Sequence, residues 1–215
     1  MHPPASPRAG CRRLHLDASV ALLTGLGGKI MTFDSENRPL SVTLHGKRTC
    51  YVYGADSARL RKVENHGPTQ DCTTIPATAP ASVFRPAGGA KLEIVRAEEV
   101  ITYPHPNVKV TNGVKTYLHR DALGYVRAIT DAAGIKIESA IYKPLGEQTE
   151  WLFPTQPAPE AKGWIGEHYD ADAGLQYLNA RYYDPILGMF IQPDWFRVMQ
   201  TGVGTNRSAI HLMIR

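Results

Sequence analysis

The sequence has no apolar run of about 18 residues, the length a membrane-crossing helix needs, so no transmembrane helix is predicted. It also has no dense stripe of one charge. Lys and Arg number 24 against 20 Asp and Glu, a formal net charge of +4. The basic residues gather only in short clusters, such as Arg12-Arg13 and Arg59-Leu60-Arg61-Lys62. Nucleic-acid binding needs a continuous basic surface to displace counterions, so no nucleic-acid partner is expected and these clusters are read as solvated strand faces. Cysteine is scarce: Cys11, Cys50 and Cys72, an odd number with no close pair. That argues against a disulfide framework and a four-ligand zinc site, and the expectation is free, inert thiols. No metal or cofactor is expected. His45, His66, His105 and His168 lie in different segments without paired-ligand spacing. Gly25-Leu26-Gly27-Gly28 precedes no helix that would cradle a phosphate. His119-Arg120-Asp121 lacks the downstream Asn and glycine loop of a kinase. Asn206-Arg207-Ser208 is a glycosylation sequon by pattern only. Arg8, Arg12 and Arg13 precede Val20-Ala21-Leu22-Leu23, but His15 and Asp17 interrupt that stretch. No clear signal peptide is read, and the localisation stays open.

Long helical periodicity is nearly absent too. What the chain has is 43% apolar content over 215 residues, enough for a sizeable core and one or two domains. Nineteen glycines and sixteen prolines are spread along it, between short alternating runs. This pattern predicts an all-β architecture. Four segments read as hairpins. Around Asn112-Gly113, a buried apolar face favours a three-residue loop pairing Val110 with Val114 and Val108 with Thr116, over a two-residue turn pairing Val110 with Lys115. Between Tyr125 and Tyr142, a loop of Ala132-Ala133-Gly134 sets Ile129 against Ile137 and Tyr125 against Ile141. Between Ile30 and Leu44, Asn37 takes a left-handed position, and Ile30, Thr32, Leu40 and Val42 share a face. In the fourth, Tyr51 to Val63, Ser57 or Ala58 lies near the turn. Phe33-Asp34-Ser35-Glu36-Asn37-Arg38-Pro39-Leu40 aligns with Tyr53-Gly54-Ala55-Asp56-Ser57-Ala58-Arg59-Leu60, a repeat of about 20 residues that signals stacked units.

The last block reads Gly163-Trp164-Ile165-Gly166-Glu167-His168-Tyr169-Asp170, then Gly174-Leu175-Gln176-Tyr177-Leu178-Asn179-Ala180-Arg181-Tyr182-Tyr183-Asp184-Pro185-Ile186-Leu187-Gly188-Met189-Phe190-Ile191-Gln192-Pro193-Asp194. It resembles the RHS repeat-associated core of the RHS/YD-repeat family, with Met189 where the family more often has Arg. Tyr117 to Gly124 resembles the last hairpin before that core, and Tyr142-Lys143-Pro144-Leu145-Gly146-Glu147 another segment of the same family. The motif residues are Gly166, Tyr169, Asp170, Gly174, Leu175, Tyr177, Arg181, Tyr182, Tyr183, Asp184, Pro185, Gly188, Phe190 and Pro193, all expected to be structural. The tyrosines and Phe190 are suited to seal the end of a β-spiral, and Arg181 to stack on a tyrosine or pair with Asp170 or Asp184.

The resemblance implies tandem β-hairpin (YD) repeats forming part of a spiralling sheet, capped by the core. It divides the chain into a poorly ordered leader (1–27), hairpin repeats (28–150) with a loop near 66–89, a core (163–207) and a divergent tail (208–215). Family members are exported or cell-surface proteins whose shell holds a C-terminal toxin used in bacterial competition. Many have an aspartyl autoprotease built on two Asp-Pro-x-Gly segments, chemistry that two proton-sharing carboxylates support. Here only Asp194 matches the first segment, and the second is missing. The expectation is a shell fragment that is not an enzyme, with Asp194 as a catalytic remnant. Its partners are the rest of the shell and the toxin of a full-length relative. The alternatives are an autoprotease in which Asp194 pairs with Asp184, and a carbohydrate- or surface-binding module using exposed tyrosines such as Tyr182 and Tyr183.

Overall fold

A computed structural model of the chain describes residues 15–16, 22–24, 28–66, 72, 81–87, 91–96, 99–152, 160–194 and 208. Among them there is no α-helix. Fourteen strands form one antiparallel sheet in chain order: β1 His15–Leu16, β2 Leu22–Thr24, β3 Ile30–Phe33, β4 Pro39–Leu44, β5 Lys47–Tyr53, β6 Arg59–His66, β7 Ser82–Ala87, β8 Lys91–Arg96, β9 Glu99–His105, β10 Val108–Thr111, β11 Val114–Arg120, β12 Val126–Thr130, β13 Lys136–Tyr142 and β14 Gln148–Leu152. A second sheet has β15 His168–Asp170, β16 Leu175–Leu178, β17 Arg181–Asp184 and β18 Met189–Phe190. The all-β hairpin architecture expected from the sequence is the one observed. Most of the 1–27 leader, the break at 153–159 and most of the 195–215 tail lie outside the described residues. The stretch expected to be a loop carries β7 in its second half, and β7 pairs with β8 in a hairpin that the composition did not reveal.

One turn is built five times over, at 34–38, 54–58, 121–125, 131–135 and 143–147. In each, the first residue's N–H donates to the fifth residue's carbonyl, and the fourth residue's N–H donates back to the first residue's carbonyl. The fourth residue is left-handed: Asn37, Ser57, Gly124, Gly134 and Gly146. This is the turn-plus-bulge connection of a three-residue hairpin loop. Where Asp opens the turn, its Oδ1 accepts two more N–H groups, as Asp121 does from Leu123 and Tyr125 at 3.0 Å each.

The registers differ in part from expectation. Val110 pairs with Lys115 across Asn112 and Gly113, both at positive φ, as a two-residue type I′ turn requires. The buried face that favoured the longer loop does not exist there: no residue of β10 is fully buried and Val114 is exposed. Ile129 faces Glu138 rather than Ile137 because a bulge follows it, although Ile129 and Ile137 share one cluster. A bulge also separates the expected face at 30–44. Met31 and Val42 point inward as a pair, while Ile30 and Thr32 are exposed. The equivalence of 33–40 and 53–60 holds at the turn, with Asn37 and Ser57 in the same conformation.

The long sheet wraps around the short one. Tyr183 and Asp184 are consecutive, yet the Tyr183 hydroxyl donates to the Leu145 carbonyl at 3.0 Å, and Asp184 Oδ2 accepts from Lys29 Nζ at 2.9 Å. Lys29 precedes β3 and Leu145 lies between β13 and β14. In a flat sheet these would be about 48 Å apart at the usual strand spacing. Two adjacent side chains span that distance only if the sheet curls back on itself.

Candidate functional site

The short sheet is a plug with two aromatic faces. Consecutive strand residues point to opposite sides, so Tyr182 and Tyr183 serve different walls. Tyr182 packs with Leu175, Ala173 and Ile191 against Met31, Val42 and Tyr51. Tyr183 stacks on Trp164 with centroids 5.0 Å apart, beside Tyr125 and Phe190. Gly146 turns at φ +90 over that indole, where a Cβ would lie 2.5 Å from a ring carbon. Gly166 faces Arg120 as closely, Gly174 makes the β15–β16 turn, and Gly188 closes the β17–β18 turn by donating its N–H to the Asp184 carbonyl. The Asp184 side chain caps that same Asp184-Pro185 turn through the N–H groups of Ile186 and Leu187.

Beneath the aromatics lies a buried ionic centre. Asp170 is wholly buried and pairs with Arg59 through Oδ2 and with Lys62 through Oδ1 at 3.0 Å. The Tyr51 hydroxyl and His168 Nε2 approach the same carboxylate at 3.3 Å. Arg59 lies between Phe84 and Tyr177, each centroid 4.3 Å from its guanidinium carbon. Burial by itself raises the Asp170 carboxyl, but Arg59, Lys62 and His168 together hold it well below the usual carboxylate range. Burial pushes His168 down to about 4 against the opposing pull of Asp170, leaving the imidazole neutral. A second centre anchors Glu160. It accepts from the Tyr103 hydroxyl at 2.7 Å and pairs with Lys109 at 3.1 Å. Both centres join the plug segment to the wall.

The sequence-expected residues are thus brought together, with two corrections. Arg181 pairs with Asp194 at 3.2 Å and lies 3.7 Å over the Phe190 ring, not on a tyrosine, Asp170 or Asp184. Asp170 and Asp184 already hold wall cations. Tyr182 and Tyr183 are 1% and 0% exposed, so they present no surface to a glycan. Tyr169 and Tyr177 are half-buried, and the Tyr177 hydroxyl accepts the Arg59 backbone N–H at 3.2 Å. Asp194 and Pro193 line a shallow hollow with Arg181, Glu36 and Arg38. Of the wall cations, Lys29 escaped notice in the sequence, and Arg59 and Lys62, expected on a solvated strand face, are 4% and 2% exposed because they pair with the buried Asp170. On β6 the charged Arg59 points in while Leu60 is exposed, the reverse of the usual pattern. Cys50 and Cys72 form a disulfide, correcting the expectation of free thiols. Sequence separation alone does not show that Cys72 meets Cys50 of β5.

Buried ion pairs of Asp170, Asp184 and Glu160 thus close the wall of hairpins on the plug. No family model matches the chain. It is 37% identical over 87 residues to the tRNA3(Ser)-specific nuclease WapA of Bacillus spizizenii, a match covering 39% of this chain and 4% of that protein. It is 36% identical over 84 residues to the tRNA nuclease WapA of Bacillus subtilis strain 168, covering 37% and 3%. Among solved structures, TcdB2-TccC3 superposes over 91% of this chain with a TM-score of 0.70 at 19% identity. The Photorhabdus luminescens Tc holotoxin pore does so with the same TM-score and identity. The chain spans 3–4% of the curated relatives and 10% of each solved chain. Its fold is that of the matching tenth of TcdB2-TccC3.

Proposed function

We propose that the chain is a structural piece of an RHS-type polymorphic toxin protein: a stretch of shell wall together with the plug that closes it, corresponding to the RHS repeat-associated core. The observation that carries this reading is the wrapping of the long sheet around Tyr182, Tyr183 and Trp164, held by Asp170 and Asp184 to wall cations. In this reading the toxin activity of a full-length relative resides outside this piece, and the piece works by excluding solvent and holding a cargo in. It has no catalytic role of its own. The carboxylates nominated for self-cleavage, Asp194 and Asp184, are each engaged by a cation, Arg181 and Lys29, rather than by each other.

The test exchanges residues 28–194 for the matching tenth of a TcdB2-TccC3 shell. A closed shell that still protects its cargo from added protease supports the reading; a soluble shell with digested cargo sinks it. Incubating the purified chain and following its intact mass tests the absence of self-cleavage. A shortened product that disappears in Asp194→Asn would establish the autoprotease instead.

A further inference from the structure

We propose that the Cys50–Cys72 bridge is an oxidation-dependent strap that ties the connection between β6 and β7 to β5. The inference rests on strand geometry and does not need the shell reading. Residues paired across strands share a face, so Thr32, Ser41, Cys50 and Val63 all lie on the side of the sheet away from the plug. On that side Ile30, Thr32 and Val52 are exposed. Ser41, Cys50 and Val63 are nevertheless 3%, 1% and 0% exposed. Cys72, the one described residue of the 67–80 connection, is bonded to Cys50 at the centre of this covered patch.

The patch adjoins a short junction. β6 and β7 pair through Arg61 with Val83 and Lys62 with Ser82, although β6 runs for 8 residues and β7 for 6. The neighbouring ladder of β7 and β8 pairs along the whole strand. One further link crosses this junction on the inner side, Arg59 of β6 lying over Phe84 of β7, and Phe84 in turn meets His168 of the plug edge-on. The strap therefore fastens, from the outer side, the connection that joins the two halves of the wall. Closing it removes two protons and two electrons from the thiols of Cys50 and Cys72. A small-molecule or protein disulfide is the oxidant and leaves as two thiols. Such bridges persist in oxidising compartments and open in the presence of a dithiol.

The experiment uses the full chain, purified without reductant. Alkylation and peptide mapping are expected to find Cys50 joined to Cys72 and Cys11 alkylated. Adding dithiothreitol is expected to speed hydrogen exchange at Lys62, Val63 and Val83 at least tenfold while β11–β13 keep their protection. Cys72→Ser should do the same without reductant, and Cys11→Ser should not. The proposal is overturned if Cys50 and Cys72 are both alkylated in the folded, unreduced chain. It is overturned equally if exchange at the junction is unchanged on reduction, or if it rises uniformly through β11–β13.

Discussion

Asp170 is the residue on which the most charge depends, with Arg59 and Lys62 both buried against it. Asp170→Asn leaves Arg59 buried without its anion and Lys62 with Glu64 as its carboxylate partner, and a loss of about 3–5 kcal/mol in denaturant unfolding is expected. His168, a neighbour of the Asp170 carboxylate, makes stability depend on pH. Its folded value is depressed to about 4 while the unfolded chain titrates at about 6.5. Between these values the unfolded state holds the extra proton, so stability is full above pH 6.5 and falls by about 1.4 kcal/mol per pH unit down to 4. Asp170, held low, adds its own loss once the pH falls below the unfolded carboxyl value of about 3.9, down to its depressed folded value. Unfolding midpoints at pH 7.5, 6 and 5 should show the slope, and His168→Gln should flatten it. Gly146 and Gly134 form a matched pair, since both have φ above +80 but a Cβ meets Trp164 only at Gly146. Gly134→Ala should cost about 1–2 kcal/mol for the left-handed backbone. Gly146→Ala should cost about 1–3 kcal/mol more for the overlap, read by thermal or denaturant melts.

Among the elements, the recurring five-residue turn sets the hairpin registers, and its opening Asp is the part the sequence shows most plainly. Asp121 accepts from two N–H groups and pairs with Arg127 at 2.8 Å. Asp121→Ala should destabilise the chain by about 1–2 kcal/mol, the range of hydrogen bonds to a charged group, tempered by solvent exposure. Asp121→Asn keeps an acceptor and should cost less in the same denaturant melt. The turn glycines and Asn37 were legible because few residues accept positive φ. Bulges were not. Each shifts the pairing by one residue, so alternation counted along a single strand misassigned Ile30, Thr32 and Ile129.

For the whole molecule, the plug supplies much of the core that the wall cannot make alone. Met31, Val42 and Tyr51 are buried only because Leu175, Tyr182 and Ile191 cover them, and Tyr125 depends likewise on Trp164 and Tyr183. A chain ending at residue 152 should therefore show no cooperative transition by calorimetry and should bind a hydrophobic dye, because a one-sided sheet leaves its apolar face in water. A cooperative melt of that truncated chain would mean that the wall is self-sufficient.

Alternating short runs, turn residues at fixed offsets and the tyrosine-rich block determined by themselves that this chain is a β-hairpin repeat with a distinct terminal segment, because strand period and positive-φ turns are local properties. Only the tertiary structure decided that the terminal segment is enclosed by the sheet. The partners of Asp170, Asp184 and Glu160, and the pairing of Cys50 with Cys72, also depended on it. Those contacts join residues far apart in the chain, and they follow from how many strands curl and where bulges turn them.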